Sequence, residues 1–174
     1  MNNNNKPIHY ISFFLLILDQ IIKLLIQKNM NLYQEITIIP SFFSLYYVKN
    51  TGAAFSILQD NSSIILLISF LSIIILNYYI IKEKNITKLS KISFGLLLGG
   101  IYGNLLDRII HKSVIDYLSF SIFNYSFPIF NLADIGITIG VGLIILETIL
   151  KKEVKNIWQI ILKYLLIIIK KRKK

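Results

Sequence analysis

"IIKEKNITKLSK", Ile80 to Lys91, sets four lysines and one glutamate between two long apolar runs. The run before it, roughly Ser62 to Ile81, and the run after it, roughly Ile92 to Ile110, are each long enough to cross a hydrocarbon core as helix, which takes about 20 residues. A basic connection between two such runs marks a cytoplasmic loop. Two further apolar segments, about 8–26 and 132–150, flank this pair, so the chain reads as four transmembrane helices. The lysines at 151, 152 and 155 and the terminal Lys-Lys-Arg-Lys-Lys run place the end of the fourth span on the same side. The connections 29–61 and 111–131 are poor in Lys and Arg and belong outside, with both termini cytoplasmic.

Composition agrees. Apolar residues make up 55% of 174 positions and mean hydropathy is positive, which indicates an integral membrane protein. The formal charge of +10 would suggest nucleic acid in a soluble chain, but here the lysines sit between spans and act as orientation signals, so no nucleic-acid partner is expected. The absence of cysteine excludes disulfides and thiolate chemistry, and two scattered histidines, His9 and His111, offer no metal-ligand spacing. No metal and no cofactor is expected. The first span resembles a secretory signal in length, yet Asp19 and Lys23 interrupt it and no small-x-small site follows, so it should remain in place.

The first outer connection, 29–61, is rich in β-branched and aromatic residues from Ile36 to Val48, is broken by Pro40 and closes on Asn50-Thr51-Gly52. A small sheet on the outer membrane face is expected there. The expected fold is therefore mainly α: a four-span membrane domain, 1–152, with a strand-rich outer subdomain. A basic amphipathic tail, 153–174, follows, expected to lie in the membrane interface.

Polar residues inside apolar helices need a reason. Asp19 and Lys23 are four apart, share a helix face and read as a structural salt bridge, with Gln20 free to hydrogen-bond a neighbouring helix. In the third span Gly99 and Gly103 have the G-x-x-x-G spacing of close helix approach. Gly100, Asn104 and Asp107-Arg108 follow on the same side, with Asp107 either an interfacial anchor or a participant. Asp116 lies just beyond the outer end of span three and Asp134 at the outer start of span four. A short connection brings them to one depth. Two adjacent carboxylates share a proton, which is the condition for acid-base hydrolysis, although solvated loop aspartates would show the same spacing. Asn50, Asn104 and Asn131 fall near the same face and could hydrogen-bond an extended peptide.

Five blocks, "DQIIK" (Asp19 to Lys23), "VKNTGAAFS" (Val48 to Ser56), "GGIYGNLLDR" (Gly99 to Arg108), "VIDY" (Val114 to Tyr117) and "FNLAD" (Phe130 to Asp134), resemble in order and spacing the motifs of bacterial lipoprotein signal peptidases. The resemblance implies a membrane aspartyl endopeptidase that cuts diacylglyceryl-modified prolipoproteins just before the lipidated cysteine. It implies catalytic residues Asp116 and Asp134, and substrate-binding or supporting roles for Asn50, Gly52, Asn104, Arg108 and Asn131. Asp19, Gln20, Lys23 and Asp107 become structural polar residues. It further implies membrane lipids as surroundings, inhibition by globomycin, and a place in the bacterial cytoplasmic membrane with the site near the outer leaflet. Against the family pattern, Ser113 stands for a glycine, Tyr117 for a phenylalanine and Ile101 for a smaller residue. A proton or ion pathway through Asp19 and Asp107, or a non-catalytic lipoprotein-binding factor, are the competing expectations.

Overall fold

The computed structural model describes the backbone of residues 3–52, 61–83, 85–123 and 125–172, and within those ranges the side chains of residues 4–152 apart from Ser62. After a short 3-10 turn come α1 (Lys6–Asn29), β1 (Glu35–Ile39), β2 (Phe43–Asn50), α2 (Ser62–Lys82), α3 (Lys88–His111), β3 (Val114–Ile122), β4 (Tyr125–Ser126) and α4 (Leu132–Arg172). Among the described residues four helices are long and apolar enough to span a membrane: Lys6–Asn29, Ser63–Lys82, Lys88–His111 and Leu132–Lys152. The four expected spans fall on these four helices, each boundary within a few residues. The backbone of α4 continues without a break from the fourth span into the tail. Which way the tail's side chains face lies outside the described residues.

Helix α3 is the centre of the bundle. It packs against α1 on one side and α4 on the other, while α2 makes a smaller contact with α3. The close approach has a steric cause. A Cβ on Gly99 would stand 2.7 Å from the Ser12 carbonyl oxygen of α1, and one on Gly140 of α4 would stand 2.8 Å from the Ser93 carbonyl oxygen of α3. Lipid tails give helices no hydrophobic drive to associate, so contact depends on such small residues and on polar links. The glycine-lined side of α3 is thus two sides: Gly99, Gly103 and Asp107 serve α1, while Gly100 and Asn104 face α4.

Helix α1 buries one stripe, Ile8, Ser12, Leu15, Asp19, Lys23 and Ile26, at the three-and-four spacing of a single helix face. Its opposite face is apolar and exposed, as at Phe13, Phe14 and Leu24, and α2 is similarly exposed over most of its length. Those surfaces suit lipid. At the lysine-bearing end Glu147 of α4 accepts hydrogen bonds from Thr87 Oγ1 (2.6 Å) and Ser90 Oγ (2.5 Å) at the start of α3 and pairs with Lys151 (2.8 Å).

The sheet caps the other end, in the order β1-β2-β3-β4, all neighbours antiparallel. Pro40 follows the last residue of β1, where a missing N–H costs the ladder least. The first outer connection supplies only half the strands. Val114–Ile122, expected as part of a loop, is the third strand, because Ile115, Tyr117 and Leu118 pack with Ile26, Met30 and Tyr47 and draw the segment onto the end of α1. Residues 53–60, including the rest of the "VKNTGAAFS" block, lie outside the described residues.

Candidate active site

Three local structures converge beneath the sheet. The first is β3. Helix α3 ends at His111 with Lys112 in the left-handed region (φ 58°), and β3 starts two residues later. So short a turn brings the strand back beside the last turn of α3, and Asp107 Oδ2 accepts the N–H of Ile115 at 3.1 Å. Asp116 follows, 2% exposed.

The second is the end of β2. Val48 pairs with Asp116 and Asn50 with Val114, so Asn50 and Asp116 are diagonal neighbours on one face of the sheet. Asn50 Nδ2 donates to Asp116 Oδ2 at 3.0 Å, while Asn50 Oδ1 accepts the N–H of Gly52 at 2.9 Å, an Asx turn that fixes the amide.

The third is the start of α4, and it explains the sequence Asn131-Leu132-Ala133-Asp134. The first N–H groups of a helix have no partner within it. Here Leu132 N–H donates to the Tyr117 hydroxyl (3.2 Å), Ala133 N–H to Asp19 Oδ1 (3.0 Å) and Asp134 N–H to Asn131 Oδ1 (3.0 Å). Asp134 Oδ2 in turn accepts the N–H of Asn131 at 3.1 Å. The last two bonds form a reciprocal capping box. Asp134 therefore belongs where it stands as a helix cap, and its Oδ1 accepts from Asn104 Nδ2 at 2.7 Å.

Asn131 joins the two carboxylates. It is fully buried, and its Nδ2 lies 2.7 Å from Asp116 Oδ1, 3.1 Å from Asn104 Oδ1 and 3.3 Å from the Ile115 carbonyl. Aromatic stacking holds the preceding residue: Phe43, Phe120 and Phe130 stack with centroids 4.6 and 5.7 Å apart, and Phe130 exchanges backbone hydrogen bonds with Leu118. Burial, and next the Asp134 carboxylate, raise the pKa of Asp116 to about 7 against the hydrogen bonds from Asn50 and Asn131.

A cavity of about 820 Å³ opens onto both aspartates. Asn50, Asn104 and Arg108 line it near the carboxylates, and Ile101, Ile135 and Ile139 carry it along α3 and α4 as far as Ser69 of α2. Arg108 hydrogen-bonds neither aspartate; its Nη2 donates to the Gly52 carbonyl (3.0 Å) and its Nη1 to the Asn104 carbonyl (3.3 Å). Asp19 and Lys23 pair at 2.8 Å, and Lys23 also reaches Asp107 at 2.8 Å. Gln20 Nε2 donates to Asp107 Oδ1 at 2.9 Å and to the Gly103 carbonyl at 3.3 Å. The candidate site residues named from the sequence, Asp19 to Asp134, are thus drawn to this end of the bundle, whereas Gly99 packs on Ser12 further along α1. Among the described residues no group of acidic, histidine or cysteine side chains is arranged to hold a metal ion.

Comparison with known proteins decides the family. A family model described as signal peptidase (SPase) II matches residues 11–150. The chain belongs to the signal peptidase II family. It is a multi-pass membrane protein and, by family, a peptidase. A curated relative, the lipoprotein signal peptidase of Symbiobacterium thermophilum (strain DSM 24528 / JCM 14929 / IAM 14863 / T), is 42% identical over 134 residues, covering 77% of this chain and 88% of its own. Two solved structures of bacterial membrane enzymes, both obtained by the in meso method, share the fold. One, at 2.3 Å resolution, has a TM-score of 0.78 and 34% identity over 82% of this chain and 87% of its own. The other, at 1.9 Å, has a TM-score of 0.73 and 35% identity over 80% and 90%.

Tyr117 has a job the sequence did not disclose. Burial pushes its pKa well above the usual value, so the neutral hydroxyl is the form that accepts the Leu132 N–H. Tyr117→Phe takes the partner from that partly buried N–H and should cost about 0.5–1.5 kcal/mol. A lowered thermal midpoint of the purified protein in detergent is the expected readout, and an unchanged midpoint would show that another group takes over the N–H.

Proposed function

We propose that this signal peptidase II family member removes signal peptides from diacylglyceryl-modified prolipoproteins, cutting before the lipidated cysteine with Asp116 and Asp134 as an aspartyl dyad. The observation that carries this reading is the pair of carboxylates, Asp116 buried and Asp134 partly so, bridged by Asn131 at the wall of an 820 Å³ cavity. Asp116, whose environment favours retention of a proton near neutrality, donates to the oxygen of the scissile carbonyl. Asp134 takes a proton from water as that water's oxygen bonds to the carbonyl carbon. Collapse of the tetrahedral intermediate breaks the C–N bond, the departing amine takes the proton held by Asp134, and one hydroxyl of the intermediate returns its proton to Asp116 as the carboxylic acid forms. Asn50, Asn104 and Asn131 fix the carboxylates with amides whose geometry is already set, and Arg108 borders the cavity where an extended peptide backbone would need a donor.

The surroundings suit the substrate. A lipidated cysteine keeps its acyl chains in the bilayer and its signal peptide as a membrane helix, so the scissile bond sits near an interface. The isoleucine-lined part of the cavity, between α3 and α4, provides apolar wall for acyl chains. The positive charge gathered at the end opposite the sheet supports a cytoplasmic orientation for that end, and with it a dyad near the outer leaflet of the bacterial cytoplasmic membrane, within reach of globomycin. A pathway for protons or ions fits less well: Asp19 and Asp107 both pair with Lys23 and each accepts a peptide N–H at one end of the bundle.

The test is cleavage by purified enzyme in detergent with chelator present, comparing a diacylglyceryl-modified prolipoprotein with the same chain unlipidated. Release of a product beginning with the lipidated cysteine, blocked by globomycin, is expected; inertness towards several lipidated substrates would favour a non-catalytic lipoprotein-binding factor. The pH profile has a defined sign. Asp116 must hold its proton to act as acid, so the rate falls about tenfold per unit as the pH rises beyond about 7, and it falls again at low pH where Asp134, the base, becomes protonated. A rate that instead rises with pH through neutrality would assign the roles wrongly.

A further inference from the structure

Three buried charges sit behind the dyad without touching the cavity. Asp19 and Lys23 come from α1 and Asp107 from α3, and each is 0–1% exposed. Lys23 Nζ lies 2.8 Å from Asp19 Oδ2 and 2.8 Å from Asp107 Oδ2. Each carboxylate has a second bond of the same kind. Asp19 Oδ1 accepts the N–H of Ala133, and Asp107 Oδ2 that of Ile115. Ala133 and Ile115 are the residues immediately before Asp134 and Asp116. One ammonium thus holds two carboxylates, and each of those holds the backbone one residue ahead of a dyad member.

Lys23 Nζ also donates to Asn104 Oδ1 at 3.1 Å, which orients that amide so that its Nδ2 reaches Asp134 Oδ1 at 2.7 Å. A Cβ on Gly103 would stand 2.5 Å from Asp19 Oδ2, so a glycine is what lets the cluster close.

We propose that Lys23 is a positioning residue for catalysis: through Asp19 and Asp107 it sets the separation of Asp134 and Asp116, and through Asn104 it orients the amide donor to Asp134. The proposal rests on the aspartyl reading above and adds a function to what sequence marks as a salt bridge within one helix. A single cation shared between two chain segments is a strut: β3 and the start of α4 belong to different elements, and this cluster spans the backbone behind both. The charged and titratable groups around the dyad are Asp19 and Lys23 from α1, Asp107 and Arg108 from α3, Tyr117 of β3, and Lys49 of β2 at the cavity rim.

Two variants test it. Lys23→Met removes the cation but leaves two buried carboxylates facing each other, which threatens folding. Lys23→Met combined with Asp19→Asn leaves one carboxylate in excess, as in the native cluster, and asparagine at 19 retains an oxygen for the Ala133 N–H. For the double variant, eluting as folded protein in detergent, kcat should fall roughly 100-fold with KM within about threefold, the size expected when reacting groups are misplaced by an ångström.

A purely structural cluster would lower the melting temperature and the yield while leaving kcat and KM per folded molecule at wild-type values, and that result overturns the proposal. Asp116→Asn and Asp134→Asn run alongside. If they are inactive while the Lys23 variant behaves as wild type, only the positioning role fails; if they cleave normally, the dyad and its strut fall together.

Discussion

Asp116→Asn and Asp134→Asn are each expected to reduce kcat for prolipoprotein cleavage by roughly 1,000-fold or more, at the upper end of the range for a lost acid-base group, with the protein still eluting as a folded species. Asparagine keeps the shape of each side chain and an oxygen for the bonds it accepts. At 134, that oxygen can still take the N–H of Asn131, so the capping box survives in part, while the new amide nitrogen faces Asn104 Nδ2, donor against donor. At 116, one of the two incoming amide donors, Asn50 Nδ2 or Asn131 Nδ2, meets an amide nitrogen instead of an oxygen, so a modest loss of stability accompanies the loss of activity. Neither variant can exchange the proton that the reaction moves. The double substitution should cost little more than either single one, because the carboxylates act as a unit. Near-normal cleavage by either variant would remove the dyad; additive losses would mean that the two residues work independently.

Much of this site was legible in the sequence because polar side chains in a membrane helix are costly and need a use. The four spans could be read from length and lysine placement, and the polar residues of spans one and three are the ones that gather round the dyad. Two features were not legible. Val114–Ile122 follows a helix and carries a mixed apolar pattern without strict alternation, and only the apolar surface offered by Ile26, Met30 and Tyr47 decides that it is a strand. Its neighbouring β-branched and aromatic residues, Val114, Ile115, Tyr117 and Phe120, were the available signal. The links from Asp19 to Ala133 and from Lys23 to Asp107 join residues 114 and 84 positions apart. Spacing within one helix reveals the Asp19–Lys23 pair but says nothing of a partner on another helix, so the cluster looked local.

Asn131 offers the sharpest separation of architecture from chemistry, because two substitutions remove different parts of its role. Asn131→Ala deletes the cap acceptor for the Asp134 N–H and the donor to Asp116 together. Loss of an N-cap costs about 0.5–2 kcal/mol, and buried groups left without partners add about 1–3 kcal/mol, so the melting temperature falls with the activity. Asn131→Asp keeps an oxygen at the cap, where aspartate serves as well as asparagine. It removes the amide hydrogens that now face Asp116 Oδ1, Asn104 Oδ1 and the Ile115 carbonyl, three acceptors for two hydrogens. It also sets a third carboxyl group beside two others. The expected result is a helix start largely retained and cleavage reduced roughly 100-fold or more by misplacement of the reacting groups. Any residual activity should persist to higher pH than in the wild type, since added negative charge makes Asp116 hold its proton more tightly. Cleavage, melting and pH profile measured on both variants decide the matter: wild-type rates for Asn131→Asp would show that Asn131 acts only as a helix cap, whereas inactivity with a preserved melt assigns it to the dyad.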